Sequence, residues 1–239
     1  MNRALFASAT GMAAQQKQLD VIADNLANAD VVGFKSAQAT FAAIGANAEL
    51  GTAATGTRAI FSAGKLERSG GPFDVAIEGA GFFRIERDGE RAYTRAGAFS
   101  RARDGSLRNA DGWKLCGVQV PAGAQAIAVA PSGGVSAQVD GHRKGLGRIV
   151  LVAFDAPERL RSVGSALFAA TSDSGLPRVL AAGGDRQPKI AFGMLEKSNV
   201  SIIESMMAIL AAQRAYEADS KGVQAADEML RIANNLHRS

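Results

Sequence analysis

The two ends of the chain carry apolar residues at a seven-residue spacing. Near the N terminus the repeat consists of Leu5, Met12, Leu19 and Leu26, and near the C terminus of Ile202, Ile209, Tyr216, Val223 and Leu230. A heptad repeat forms one stripe along a helix, and a long helix buries such a stripe only against another long helix. We therefore predict two long helices, over about 1–29 and 202–236, that pair as a coiled coil.

The C-terminal helix carries more apolar surface than one partner helix can cover. Its first turns contain Ile202, Ile203, Met206, Met207, Ile209 and Leu210, which spread over a broad arc. We expect the surplus to be buried against other copies of the chain, and the ends of an isolated monomer to be largely mobile because their stripes lack partners. The alternative is an ordinary helix packed on its own β domain.

The middle of the chain changes to a two-residue period. From Phe73 apolar and polar residues alternate, and Asp-Gly pairs suited to hairpin turns follow at 88–89, 104–105, 111–112 and 140–141. Between these regions no period holds for long, and we predict one short strand near Ala59–Phe61. The predicted fold class is α+β, and the predicted segments are an N-terminal helix over 1–33, a connector over 34–71, a β-rich domain of hairpins over 72–195 and a C-terminal helix over 196–239.

Composition narrows the chemistry that the chain can perform. The longest apolar stretch, Ile149–Phe154, is far too short to span a membrane, and the first twenty residues lack the pattern of a secretory signal. One cysteine, Cys116, excludes an intramolecular disulfide, and two distant histidines argue against a zinc site. We predict no catalytic residue, no cofactor, no metal and no direct membrane insertion.

Two other functions have candidate residues. Seven arginines could contact nucleic acid, although the carboxylates interleaved with them favour a solvated hairpin face. These arginines are Arg84, Arg87, Arg91, Arg95, Arg101, Arg103 and Arg108. Asp74 and Glu78 could serve a carboxylate-based hydrolase that acts on the cell wall, but a pair with altered pKa values cannot be located from sequence. We expect neither nucleic-acid binding nor enzymatic activity.

Three motifs resemble a known family. They are Asp24–Asn28 followed by Gly33–Lys35, then Asp74–Phe83 with Tyr93–Phe99, and finally Ser198–Val200 followed by Gln213–Glu217 and Asp227–Leu230. In this order they are similar to the signatures of bacterial flagellar rod and hook proteins, and they cover nearly the whole chain. Within the family the C-terminal stretch most resembles distal rod proteins. The interval between Lys35 and Asp74 is short, as in proximal rod proteins, which are the alternative.

The resemblance implies a structural role. Copies of the chain would assemble helically into the rod, a drive shaft that crosses the periplasm and transmits torque from motor to hook. The terminal helices would form an inner coiled-coil domain with the β domain outside. The implied partners are the chain itself, other rod proteins, the hook protein, the rings around the rod and the flagellar type III apparatus, which would export the chain without a cleaved signal peptide.

The resemblance also implies a set of assembly residues. They are Asn25, Leu26, Asn28, Gly33, Phe34, Ser198, Asn199, Val200, Gln213, Arg214, Tyr216 and Glu217. For Asn25, Asn28 and Gly33 the residue types predict the turn that ends the first helix. Gln213 and Tyr216 either fix the register between neighbouring helices or lie at a solvated edge. Arg214 and Glu217 could pair between subunits.

Overall fold

The computed structural model describes residues 3–44, 51–164, 166–185 and 187–236. The chain divides into two compact units. The helical unit comprises the described residues of Met1–Ala29, Ala37–Ile60 and Val200–Ser239, and the β unit comprises those of Asp30–Ser36 and Phe61–Asn199.

Two long helices form the centre of the helical unit. Helix α1 spans Arg3–Ala27 and helix α2 spans Ile202–Leu236, and the two are in contact. A Cβ atom on Gly11 would lie 2.7 Å from the Asp219 carboxylate, and one on Gly222 would lie 3.0 Å from the Ser8 hydroxyl. Residue numbers thus rise along α2, from 219 to 222, as they fall along α1, from 11 to 8, so the helices are antiparallel. The predicted pairing of the terminal helices is confirmed.

An antiparallel hairpin completes the helical unit. Strand β1 (Ala37–Ile44) pairs with β2 (Gly51–Ala59), and both pack on α1. The prediction of a single short strand near Ala59–Phe61 is therefore wrong, because β2 ends at Ala59 and is nine residues long. Alanine, threonine and glycine dominate the two strands. Because the strands contain few large side chains, their sequence shows little alternation of apolar and polar residues.

The β unit consists of short antiparallel strands. In chain order these are β3 (Leu66–Arg68), β4 (Val75–Glu78), β5 (Phe82–Arg87), β6 (Glu90–Thr94), β7 (Ser100–Arg101), β8 (Ser106–Arg108), β9 (Lys114–Gln119), β10 (Gln125–Val129), β11 (Gly134–Val139), β12 (His142–Arg148), β13 (Leu151–Ala153), β14 (Arg161–Ser162), β15 (Leu167–Ala169), β16 (Arg178–Leu180), β17 (Lys189–Phe192) and β18 (Met194–Glu196). The main sheet has the order β10-β11-β12-β9-β5-β6-β15-β14. Separate pairs join β17 to β4 and β18 to β3. The predicted α+β class is confirmed.

Turns and core follow the predicted pattern of hairpins. Asp88 and Gly89 both have positive φ between β5 and β6, as do Asp140 and Gly141 between β11 and β12, which is the conformation of a type I′ turn. The inward residues of the strands form one apolar cluster, which includes Phe83, Ile85, Leu115, Leu151 and Leu167. Cys116 is buried, and burial raises the pKa of its thiol.

Candidate functional site

Helix α2 packs on α1 through small side chains. Ala212 and Ala226 are buried, and they share a face with Asp219 and Gly222, which lie close to Gly11 and Ser8 of α1. The distance between two packed helices depends on the side chains at their contact, so small residues let these helices approach closely. Ile209 and Val223, each three residues before one of these alanines, are half-buried. Four other large apolar residues, in the first turns of α2, lie on a different face.

Those large residues form an exposed row that we call the outer stripe: Ile203, Met206, Met207 and Leu210. Their exposed fractions are 73%, 56%, 66% and 59%, and their i, i+3, i+4, i+7 spacing places them on one face. Further along this face the residues become polar, with Gln213, Arg214 and Glu217 all exposed. On this face the run of large apolar residues is therefore confined to the first turns of α2, while Met229 and Ile232 are exposed near the other end of the helix.

The predicted coiled-coil seam lies partly outside the contact with α1. On α1, Leu5, Met12, Leu19 and Leu26 are half-buried. On α2, Ile209 and Val223 are half-buried, Ile202 and Tyr216 are exposed, and the side chain of Leu230 lies outside the described residues. The seam in an assembled state stays a prediction.

Asn25 makes a contact that turn chemistry does not predict. It lies within α1 and is buried, and its amide makes two bonds of 2.7 Å with Ala37 at the start of β1. Nδ2 donates to the Ala37 carbonyl, and Oδ1 accepts from the Ala37 N–H. Asn28 does close the helix, because its side chain donates to the Asp24 carbonyl at 2.8 Å. Leu26, between them, is half-buried.

Gly33 occupies a place that fits only glycine. Its φ is +68°, and a Cβ there would lie 2.2 Å from the Ala96 backbone nitrogen. Its N–H donates to the Glu196 carbonyl at 2.7 Å. The neighbouring Phe34 is half-buried, and its N–H donates to the Val31 carbonyl at 3.2 Å. The hydrogen bond from Gly33 to Glu196 joins the N-terminal motif to the segment before α2.

A buried ion cluster, formed by Lys35, Arg95 and Glu196, lies in the β unit. The Lys35 Nζ is 2.7 Å from Glu196 Oε1, and the Arg95 Nε is 3.5 Å from Oε2. Lys35 also donates to the Ser62 carbonyl at 2.7 Å, and the Gly64 N–H donates to Glu196 Oε1 at 2.9 Å. Burial lowers the pKa of Lys35 although the bond to Glu196 acts in the opposite direction, and burial also lowers the pKa of Arg95.

Asn199 continues this network within the β unit. Its Oδ1 accepts from the Ser36 N–H at 2.7 Å, and its Nδ2 donates to the Ser62 hydroxyl at 2.9 Å. Its neighbours Ser198 and Val200 are half-buried. Glu196 and Asn199 thus hold three segments of the chain together, around 33–36, 62–64 and 196–199. The sequence analysis places Arg95 only on a solvated hairpin face and assigns no role of their own to Lys35 and Glu196, because sequence gives no sign that Lys35 pairs with a residue 161 positions away.

The arginines of the hairpins do not act as one group. Arg95 belongs to the buried ion cluster, Arg108 pairs with Asp104 at 2.9 Å, and the Arg87 guanidinium lies 4.6 Å from the centre of the Trp113 ring. Hydrogen bonds from Ser106 and Arg108 lower the pKa of Asp104. The expectation of a solvated face fails for Arg95, since Glu196 provides a buried partner for it.

Of the two candidate catalytic carboxylates, only Asp74 is buried. It accepts a hydrogen bond from the Ser69 hydroxyl, whereas Glu78 is exposed at the end of β4. Among the described residues, no group of three or more His, Cys, Asp or Glu side chains is placed to hold a metal ion. Within the same part of the chain, no helix is both long enough and apolar enough to cross a membrane.

Comparison with known proteins places three segments in flagellar families. Residues 5–35 match the flagella basal body rod protein family, residues 76–137 the D1 domain of the flagellar hook protein FlgE/F/G family, and residues 192–236 the C-terminal family of flagellar basal body rod FlgEFG proteins. The chain is 37% identical to the flagellar basal-body rod protein FlgG of Borreliella burgdorferi, with both chains covered completely.

The chain belongs to the FlgG family of flagellar basal-body rod proteins. The FlgG proteins of Agrobacterium fabrum and Caulobacter vibrioides are 35% and 34% identical to it, over 97% and 98% of this chain and 98% and 99% of their own. The prediction of a distal rod protein is confirmed, and the family is structural and not enzymatic. Its place is the flagellar basal-body rod, where membership in this family implies assembly with other flagellar components.

Proposed function

We propose that this FlgG-family chain assembles with copies of itself into the helical shaft of the distal rod and transmits torque from motor to hook. The outer stripe of α2 is the observation that carries the proposal. Membership in a family of structural rod subunits supports it, because such subunits need a surface through which copies join.

The outer stripe has the chemistry of a surface that another copy covers. Four large apolar side chains stand exposed side by side, while the contact with α1 uses small residues. Complete burial of one Ile, Leu or Met side chain stabilises by about 1.5–3 kcal/mol, so covering this row strongly favours association. A second copy is the occupant that we propose, since Ile202 and Tyr216 of the heptad repeat are also exposed on α2, and a heptad stripe is buried best by another long helix.

The polar continuation of the same face then limits how the copies can slide. Gln213, Arg214 and Glu217 follow the outer stripe directly and are exposed in the single chain. Polar residues beside an apolar seam can fix register, because a shifted partner leaves them facing apolar groups. We assign Tyr216, which is also exposed, to the same function of setting register.

The remaining partners follow from the place of the family in the flagellum. We propose contacts with other rod proteins, with the hook protein and with the rings around the rod. We also propose export by the flagellar type III apparatus without a cleaved signal peptide. Mobility of the terminal helices in an isolated subunit stays a prediction.

Sedimentation of the purified chain over a range of concentrations tests self-assembly. We expect wild-type protein to assemble above a critical concentration, and Ile203→Lys or Leu210→Lys to prevent this because a charge would be buried in the contact. The matched control is Gln224→Lys, which adds the same charge on an exposed position of the same helix face beyond the stripe. Circular dichroism confirms that each variant keeps its helices. A wild-type chain that stays monomeric at every concentration contradicts the proposal.

A further inference from the structure

Two methionines occupy the centre of the outer stripe. Met206 and Met207 are adjacent in sequence, are more than half exposed, and lie between Ile203 and Leu210 on one face of α2. Methionine supplies a flexible apolar surface, but unlike Ile or Leu its thioether sulfur can be oxidised. The most exposed apolar surface of the helical unit thus contains two oxidisable atoms.

We propose that Met206 and Met207 are an oxidation site that stops the unassembled subunit from joining the shaft. The inference rests on the proposed function, because it concerns the surface through which copies join. Hydrogen peroxide is the oxidant: the sulfur lone pair attacks one peroxide oxygen, the O–O bond breaks, and the proton of the attacked oxygen passes to the leaving hydroxide, so that a sulfoxide and water form. Sulfur is oxidised by two electrons, and the peroxide is reduced by two.

The sulfoxide changes the chemistry of the stripe. A polar S=O group replaces an apolar thioether, so covering the stripe then buries a hydrogen-bond acceptor among Ile203, Leu210 and the apolar surface of the incoming copy. We expect each sulfoxide to raise the critical concentration for assembly roughly tenfold. In the assembled shaft the same sulfur atoms are covered and therefore protected from oxidant.

The chain offers an internal control for this site. Met229 is 60% exposed on the same helix, but it lies outside the outer stripe. Its thioether reacts with peroxide as readily as the other two, since exposure governs access. Oxidation of Met229 alone is expected to leave assembly unchanged.

Peroxide treatment of the monomer, followed by sedimentation, tests the proposal. Hydrogen peroxide is added to wild type, to Met206→Leu/Met207→Leu and to Met229→Leu, and mass spectrometry then measures the sulfoxide at each methionine. After the oxidant is removed, we expect wild type and Met229→Leu to lose assembly, and the double variant to keep it. Methionine sulfoxide reductase restores assembly of the oxidised wild type, a result that does not depend on any variant.

Three results overturn the inference, and they separate its failure from that of the proposed function. If wild type with sulfoxide at both positions assembles at the same concentration as untreated protein, the oxidation site is refuted while the proposed function stands. The same holds if reductase repair restores nothing. If untreated wild type does not assemble at all, the proposed function fails, and the oxidation site fails with it.

Discussion

Replacing Glu196 by alanine tests what holds the β unit together where the family motifs meet. Glu196 is only 1% exposed, and its carboxylate accepts from Lys35 and Gly64 and faces Arg95. Alanine removes the single anion of the buried ion cluster. Two buried cations then remain without their partner, and the Gly64 N–H loses its acceptor.

The structure sets the size of the expected effect. Removing one partner of a buried ion pair costs about 3–5 kcal/mol, since an unpaired charge remains in a low-dielectric environment. For a domain of this size the melting temperature falls by roughly 2–4 °C per kcal/mol, so we expect a loss of roughly 6–20 °C. Lys35→Met should cost less than this, because Arg95 still faces the carboxylate.

Tryptophan fluorescence during urea or thermal unfolding measures the effect directly. Trp113 is the only tryptophan of the chain and lies buried in the β unit, so its signal reports on that unit. The matched control is Asp155→Ala, which breaks an ion pair of 2.7 Å whose side chains are 69% and 66% exposed. That exposed pair should contribute under about 1 kcal/mol.

Similar effects of the two substitutions would show that burial adds nothing to the strength of the Glu196 contacts. A loss below about 1 kcal/mol in Glu196→Ala would mean that water replaces the carboxylate at little cost. The buried ion cluster would then be incidental to the stability of the β unit.

Three further substitutions test contacts within the two units. Gly33→Ala should lower the free energy of unfolding by about 2–4 kcal/mol, because Gly33 has a positive φ and a Cβ there would clash with backbone. The control Gly89→Ala should lower it by about 1 kcal/mol, because φ is positive there but the space is open. Equal losses in urea unfolding would contradict this. Asn25→Ala should lower the free energy of unfolding by about 1–3 kcal/mol and Asn28→Ala by less, as circular dichroism of the helices can measure, since Asn25 is buried and makes both hydrogen bonds to Ala37 at the start of β1. Burial lowers the pKa of Lys35 below its ordinary 10.5, so the folded state binds fewer protons than the unfolded state in the alkaline range. The stability of wild type relative to Lys35→Met should therefore rise as the pH approaches 10.5. A fall in this relative stability would refute the assignment.

The periodic parts of the fold could be predicted from sequence. Heptads over many turns identify both helices, and Asp-Gly pairs identify hairpin turns, because each depends on local chemistry alone. Which face of α2 packs on α1 could not be predicted in this way. A helix that is apolar on several sides does not show which face its partner takes, and here the alanines face α1 while Ile202 and Tyr216 are exposed.

The site was predictable only as a set of motif residues. Asn199 and Gly33 lie in motifs that sequence identifies, but their contacts depend on chain segments more than a hundred and fifty residues apart. Glu196 has no local signature, since a single acidic residue in a short strand is equally typical of a solvated edge. Its importance arises from burial beside Lys35 and Arg95, which only the folded structure shows.

An electron cryomicroscopy map of the shaft assembled from this chain would show which surface of α2 joins neighbouring copies. We expect Ile203, Met207 and Leu210 to be covered by a helix of a neighbouring copy, with Gln213 and Arg214 beside that contact. A map in which this row of α2 faces solvent, while other surfaces join the copies, would contradict it.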